Sequence, residues 1–371
     1  DYAREIVPSF SAFAYFGFAI RMSRWLSTFL FDVRLHEVDE SALDDIAPNA
    51  TVVYVMNHRS NFDYVLVTYL AASQSALSYA VGEWARVWPL SNLIRAMGAY
   101  FIRRRYRNEL YLKVLSTYVQ RASEAGVTQA VFPEGGLSRN GLIGQPKLGI
   151  LSYIVDGWRR DGHDVVFVPV ALNYDRVVED RILVAAHRDS EHRFKASAPE
   201  GIRFTLRYFL RRIRGRVGRF GVASVTFGRP VSLTAAAADG EDGLVERLAA
   251  RLTDDIRAAV PYVTTPCILA AIYAKGGTAS EDTIARGLGD IVTGSDGVPV
   301  NDAISPDDRE ALRHELDVLV LRQILTREGD TYAIAAPDLA LYYTNSIRHH
   351  LSASAAKRLP PAHSIGESEE Q

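Results

Sequence analysis

Short apolar runs alternate along much of the chain with segments whose apolar positions recur every three to four residues. Residues 51–56, 77–81, 99–102, 127–132 and 165–172 are short and rich in β-branched and aromatic side chains, which predicts strands. The run 165–172 is apolar throughout, as expected of a strand buried on both faces. Helical spacing predicts helices after Ser60, over 89–97, over 108–125 and over 148–158. In the third, Leu110, Tyr111, Val114, Leu115 and Tyr118 share a face, Asn108 is placed to cap it and Gly126 to end it. Strand-like runs at 33–38 and 222–227, with Val231, and a helix over 242–260 complete the pattern. Strands alternating with helices predict an α/β fold, a mixed sheet flanked by helices, over residues 33–260.

The two ends of the chain read differently. Residues 1–32 interrupt Phe10, Phe13, Phe16, Phe18, Trp25 and Phe29 with Arg21, Ser23 and Arg24, which predicts one or two amphipathic helices. Such a face packs on the main domain or lies in a membrane interface, and the two are compatible. The uncharged run 6–20 is shorter than the roughly 20 residues that span a bilayer. Over residues 201–219, Arg203, Arg207, Arg211 and Arg214 are spaced to share a helix face, suited to solvent or anionic headgroups. From Pro261 a smaller helical domain is expected through residue 358, with a hairpin at Gly329-Asp330 and a likeness to a winged helix. Its helices are not especially basic, so a structural or interaction role is expected there and not DNA binding. Residues 359–371 are polar and expected to be disordered.

Bulk properties narrow the classes. Apolar residues make up 48% of the 371 and charged ones 23%, enough for a full core. A net charge of −2 gives no reason to expect nucleic acid as a partner. The single cysteine, Cys267, excludes an intrachain disulfide and a multi-cysteine zinc site, and suits a reducing compartment. The N-terminal residues lack the basic start and small-residue cleavage site of a signal peptide, so none is expected.

Candidate chemistry sits at predicted strand ends, where open α/β sheets bind ligands. After the run 51–56, His58 and Asp63 lie five positions apart across a strand-to-helix junction. They are either a cap and a dipole partner of the helix, or an imidazole oriented by a carboxylate so that its second nitrogen takes a proton. Arg103, Arg104 and Arg105 follow another apolar run and suit an anion or simple solvation. The segment Phe132-Pro133-Glu134-Gly135-Gly136-Leu137-Ser138-Arg139 offers close backbone approach at its glycines, a carboxylate at Glu134 and positive charge at Arg139, with Lys147 following. It lacks the Gly-Lys-Ser/Thr ending of a Walker A loop. The run ending in Asn173 and Tyr174 lines a cleft or is simply core.

Taken in order, these blocks resemble the glycerolipid acyltransferase family, whose members carry an H-x4-D block, a G-x-F-x-I-R-R block, an F-P-E-G-G-x-S-R block and a V-P-V block. The matches are His58 to Asp63, Gly98 to Arg104 with one extra residue before Phe101, Phe132 to Arg139, and Val168 to Val170. The Pro146-Lys147-x-Gly149 extension resembles the branch of membrane-associated glycerol-3-phosphate and dihydroxyacetone-phosphate acyltransferases. The resemblance implies that His58 is the general base on an acceptor hydroxyl and Asp63 its orienting acid. It implies that Arg103, Arg104, Arg139 and Lys147 hold phosphate and that Glu134, Gly135, Gly136 and Ser138 shape the glycerol site. Glycerol 3-phosphate acylated at its first hydroxyl is the implied reaction, with acyl-CoA or acyl carrier protein as co-substrate. No metal or redox cofactor is implied, and the implied location is peripheral, on the cytoplasmic face of a membrane. Members of this branch carry Arg where this chain has Leu137. That departure points to another acceptor, such as lysophosphatidic acid, or to a phosphate site built from the Arg103 cluster and Arg139; dihydroxyacetone phosphate is a further alternative acceptor, and a catalytically silent membrane-binding scaffold the alternative outside enzymes.

Overall fold

The computed structural model describes residues 2–8, 11, 13–37, 42–70, 78–82, 100–102, 108–161, 163–188, 218–293, 305–362 and 364–365. The expected helix at 89–97, nearly all of the basic segment 201–219, and Arg103 to Arg105 lie outside the described residues.

Eight strands of the described residues form the main sheet: β1 Asp32–Glu37, β2 Thr51–Met56, β3 Ser78–Gly82, β4 Tyr100–Ile102, β5 Gln129–Val131, β6 Val165–Tyr174, β7 Val222–Phe227 and β8 Val231–Ser232. Their order is β1-β7-β6-β2-β5-β3-β4, with β8 on the edge of β6 beside β7. β6, β2, β5, β3 and β4 run in parallel; β7 and β1 run the other way, so the sheet is mixed. Among the described residues, helices Asp63–Leu70, Glu109–Glu124 and Gly149–Asp161 lie on the connections from β2 to β3, β4 to β5 and β5 to β6, as parallel pairs require. The 51–56 run sits centrally, between β5 and β6, both of which are buried along their whole length.

Alternation along the central strands divides the interior in two. Tyr54 and Met56 of β2 and Val168, Val170, Leu172 and Tyr174 of β6 face one core. Val53 and Val55, with Val165, Phe167 and Ala171, face the other. The second core is closed by helices Glu109–Glu124, Gly149–Asp161 and Leu244–Ala259. Asn108 caps the first of these, its Oδ1 accepting the Tyr111 N–H at 2.8 Å. The first core is closed by helix Asp63–Leu70 and by the chain beyond Pro261.

That C-terminal part runs helix Thr264–Tyr273, β9 Thr278–Ser280, helix Glu281–Thr293, helix Arg309–Leu321, β10 Leu325–Glu328, β11 Thr331–Ile334 and helix Pro337–Asn345. β10, β11 and β9 form a three-stranded antiparallel sheet. All ten residues of Thr264–Tyr273 are buried, and Cys267, Ile268 and Leu269 belong to the same core as Met56 and Leu66. The chain changes character at Pro261, but its apolar packing is continuous across that point. The expectation of a disordered tail over 359–371 fails for its described residues, 359–362 and 364–365; the others lie outside the described residues. Leu359 and Ile365 are buried in this core, and the Ala362 carbonyl accepts from Asn345 Nδ2 at 3.3 Å.

At the other end, a π-helical turn Phe13–Ala19 leads into helix Ile20–Leu30, which packs against helix Asp63–Leu70. Its buried positions are Ser23, Ser27 and Leu30, a small-residue stripe that lets the helices approach. The large side chains face outward: Phe13 is 85% exposed, and Phe16, Phe18, Met22 and Trp25 are each more than two-fifths exposed.

Candidate active site

The site forms beyond the carboxyl ends of β2, β5 and β6. As β2 ends, the Asn57 side chain continues its ladder, donating through Nδ2 to the Leu172 carbonyl at 2.9 Å and accepting the Leu172 N–H at 2.7 Å. This fixes where the chain leaves the sheet and so where His58 stands. Ser60 Oγ accepts the Phe62 N–H at 3.0 Å, and helix Asp63–Leu70 begins one residue later.

Asp63 lies on the first turn of that helix and is fully buried. Its Oδ2 accepts from His58 Nδ1 at 2.9 Å, from the Arg59 N–H at 2.7 Å and from the Ser60 N–H at 3.0 Å. Its Oδ1 accepts from the Tyr174 hydroxyl at 2.5 Å. All four partners are donors, the surroundings of a carboxylate. Burial first, and then the Asp63 charge, push the Tyr174 phenol well up, so it stays a donor. With the Nδ1 proton held by Asp63, His58 carries its lone pair on Nε2. No described residue hydrogen-bonds that atom. Phe132 lies over the imidazole with ring centroids 4.1 Å apart, and Tyr64 meets it edge-on at 5.3 Å.

The turn after β5 binds this loop from the other side. Glu134 Oε1 accepts the His58 N–H at 2.9 Å and Oε2 the Gly144 N–H at 2.8 Å. Burial pushes its carboxyl up, against the opposing pull of those two amides. The Ser138 N–H donates to the His58 carbonyl at 2.9 Å, and its hydroxyl donates to the Leu142 carbonyl at 2.7 Å. Glu134 and Ser138, which the family resemblance assigns to the glycerol site, thus have their hydrogen bonds turned inward, where they set the position of His58. Gly135 has φ +68, and a Cβ there would lie 2.9 Å from Lys147 Cδ and 3.0 Å from Nζ, so glycine leaves room for the lysine. Gly136 continues the same turn. Leu137 packs against the first core and is only partly exposed. Lys147 makes no ion pair with a described carboxylate, and its ammonium stands over the turn. Arg139 lies apart from this cluster, its Nη1 donating to the Ala186 carbonyl at 3.4 Å near the end of helix Asp180–Arg188. Arg103 and Arg104 fall outside the described residues.

Three further residues belong to the site. Tyr174 is one, noted in the sequence only as a possible cleft liner. Glu179, which has no motif around it, accepts the Ser60 hydroxyl at 2.9 Å and the Asn61 N–H at 2.6 Å. Arg59 is buried inside the His-to-Asp loop, donates to the Gly141 carbonyl at 2.6 Å and lies 4.9 Å above the Tyr342 ring. Cys267 is fully buried and its thiol is pushed up by burial, then by Asp175, so it is no nucleophile.

An imidazole oriented by a buried carboxylate at a strand end is the apparatus of a hydroxyl-activating transferase or hydrolase. Residues 37–173 match the family model described as Acyltransferase. A glycerol-3-phosphate acyltransferase of Ectopseudomonas mendocina is 32% identical over 238 residues, covering 62% of this chain and 27% of the relative. Another, from Alteromonas mediterranea, is 26% identical over 328 residues, covering 80% of this chain and 39% of its own. The chain thus spans well under half the length of these relatives. A solved structure, the 1-acyl-sn-glycerophosphate (LPA) acyltransferase PlsC from Thermotoga maritima, covers 67% of this chain and 80% of its own at 20% identity. Its TM-score of 0.37 is too low to bear on the reading.

Proposed function

We propose that this chain transfers a fatty acyl group from acyl-CoA or acyl carrier protein to the first hydroxyl of glycerol 3-phosphate. The observation that carries the reading is the His58 Nδ1 to Asp63 Oδ2 hydrogen bond of 2.9 Å, which leaves Nε2 as a base. Nε2 takes the hydroxyl proton as the oxygen attacks the thioester carbonyl. The tetrahedral intermediate expels the thiolate, and the imidazolium returns its proton to that sulfur. Asp63 balances the positive charge between these steps. No acyl-enzyme is required. The relatives named above support glycerol 3-phosphate as acceptor. Lys147, whose ammonium stands beside Gly135, is our choice for its phosphate, with Arg103 and Arg104 as further candidates; Arg139 would have to turn from the Ala186 carbonyl to join them.

The same reading puts the chain at a membrane surface, on its cytoplasmic side. Among the described residues no helix is long and apolar enough to cross a membrane. The outward row of Phe13, Phe16, Phe18, Met22 and Trp25 supports a peripheral contact instead.

The test is acyl transfer from labelled acyl-CoA and acyl carrier protein to glycerol 3-phosphate, dihydroxyacetone phosphate and lysophosphatidic acid, with wild type and His58→Ala. Transfer to glycerol 3-phosphate that is lost in His58→Ala is expected. Full activity in the variant would refute the mechanism, and transfer to lysophosphatidic acid alone would replace the acceptor.

A further inference from the structure

We propose that Tyr174 is a positioning residue for this reaction: its phenol fixes the Asp63 carboxylate in one orientation toward His58 and tempers its basicity. The proposal rests on the reading of His58 as general base. Asp63 Oδ2 takes its three donors from residues 58 to 60, all on the loop that leads into its own helix. Those bonds hold the loop together but do not tie it to the sheet. Oδ1 has one described partner, the Tyr174 hydroxyl at 2.5 Å, and Tyr174 is the last residue of β6. The phenol therefore anchors the carboxylate to the central sheet.

Tyr174 is itself immobile. It is fully buried, and its ring packs against Phe31 with centroids 5.4 Å apart. The charged and titratable groups around the pair are Glu179, Arg59 and Tyr342; Glu134 faces His58 from the turn after β5. None of these hydrogen-bonds Oδ1. A donor on Oδ1 withdraws charge from Oδ2, and so weakens the hold of the carboxylate on the imidazole proton. Without it the carboxylate is more basic, and His58 stays protonated to higher pH.

The experiment compares wild type, Tyr174→Phe, and protein carrying 3-fluorotyrosine in place of Tyr174, with His58→Ala in parallel. The phenylalanine variant should lose about tenfold in kcat with little change in acceptor KM. The acid limb of its kcat/KM profile should move up by about half a pH unit or more. The fluorinated phenol is a stronger donor and should move that limb the other way. Titration of the His58 imidazole by NMR should follow the same two directions without needing turnover. If Tyr174→Phe does not fold, the fluorotyrosine protein still decides. Superimposable profiles and titrations, with His58→Ala inactive, would overturn the role of Tyr174 alone. Full activity in His58→Ala would overturn the general-base reading and this proposal with it.

Discussion

Glu134 and His58 stand 76 positions apart and are joined by one hydrogen bond of 2.9 Å from the histidine N–H to the carboxylate. The other carboxylate oxygen accepts the Gly144 N–H at 2.8 Å, so one side chain holds two loops. Removing it strands two amides, at about 1–3 kcal/mol for each one left buried without a partner. Glu134→Ala should therefore lose at least about a hundredfold in kcat through displacement of His58. Glu134→Gln keeps one acceptor and should fall between. Steady-state kinetics with urea unfolding checks this. An alanine variant of near-normal kcat would mean that the loop holds its place unaided.

Gly141 is where the C-terminal part presses on the site. Its φ is +86, and a Cβ there would lie 1.9 Å from the Tyr342 carbonyl oxygen, on a helix backbone that cannot give way. Gly126 is a natural control, with φ +70 and nothing within 4 Å. Gly126→Ala should cost about 1–2 kcal/mol from backbone strain alone. Gly141→Ala should exceed it by about 1–3 kcal/mol of overpacking or more. It should also reduce acyl transfer, because Arg59 donates to the Gly141 carbonyl from inside the His-to-Asp loop. Equal losses of stability in the two variants would show that the contact with Tyr342 is easily relieved.

The sheet was legible in the sequence because β2, β5 and β6 are apolar runs between recognisable helices. His58 and Asp63 were legible as a pair because they stand five positions apart across one strand-to-helix junction. Tyr174 and Glu179 were not. Their meaning depends on β6 lying beside β2, which no local pattern states, so Tyr174 read only as the end of an apolar strand. Ser138 and Glu134 illustrate the converse: motif positions that suggest ligand contacts have their hydrogen bonds directed at the backbone of the neighbouring loop. At the N-terminus the large apolar residues were visible, but not their direction. Ser23 and Ser27 take the buried side because helix Asp63–Leu70 comes close.

His349 and His350 place a pH dependence in the C-terminal part. Their rings lie 4.1 Å apart, and each Nε2 donates to a carbonyl at the end of helix Leu244–Ala259, Arg257 at 2.8 Å and Val260 at 3.0 Å. His349 keeps an exposed face, but the packing around its ring, and then the neighbouring ring, lower it from 6.5 to about 4; burial lowers the half-buried His350 in the same direction. The folded protein therefore refuses protons that the unfolded chain accepts. Their contribution to stability is complete above the ordinary imidazole value and is lost as pH falls from there toward the folded value. The melting temperature should drop more steeply between about pH 6.5 and 4 in wild type than in a His349→Gln, His350→Gln double variant. Parallel slopes would exclude the pair as the cause.

The outward aromatic row at the N-terminus predicts vesicle binding that point substitutions can remove without unfolding the protein. Truncation of residues 1–31 would be a poor test, because Ile6, Tyr15 and Phe31 are buried there and belong to the fold. Phe13 is exposed, while Phe16 and Trp25 are half exposed with their rings against Tyr15 and Phe29, so the serine replacements should cost about 0.5–1.5 kcal/mol for each of those two ring contacts, short of unfolding. Burial of an aromatic side chain in the interface is worth about 1.5–3 kcal/mol. Losing three should weaken partitioning onto phosphatidylglycerol-containing vesicles by at least about a hundredfold. Sedimentation with vesicles measures the partitioning, and in the wild type a blue shift of tryptophan emission should accompany it. Unchanged sedimentation of the triple variant would move the lipid contact to another face of the molecule.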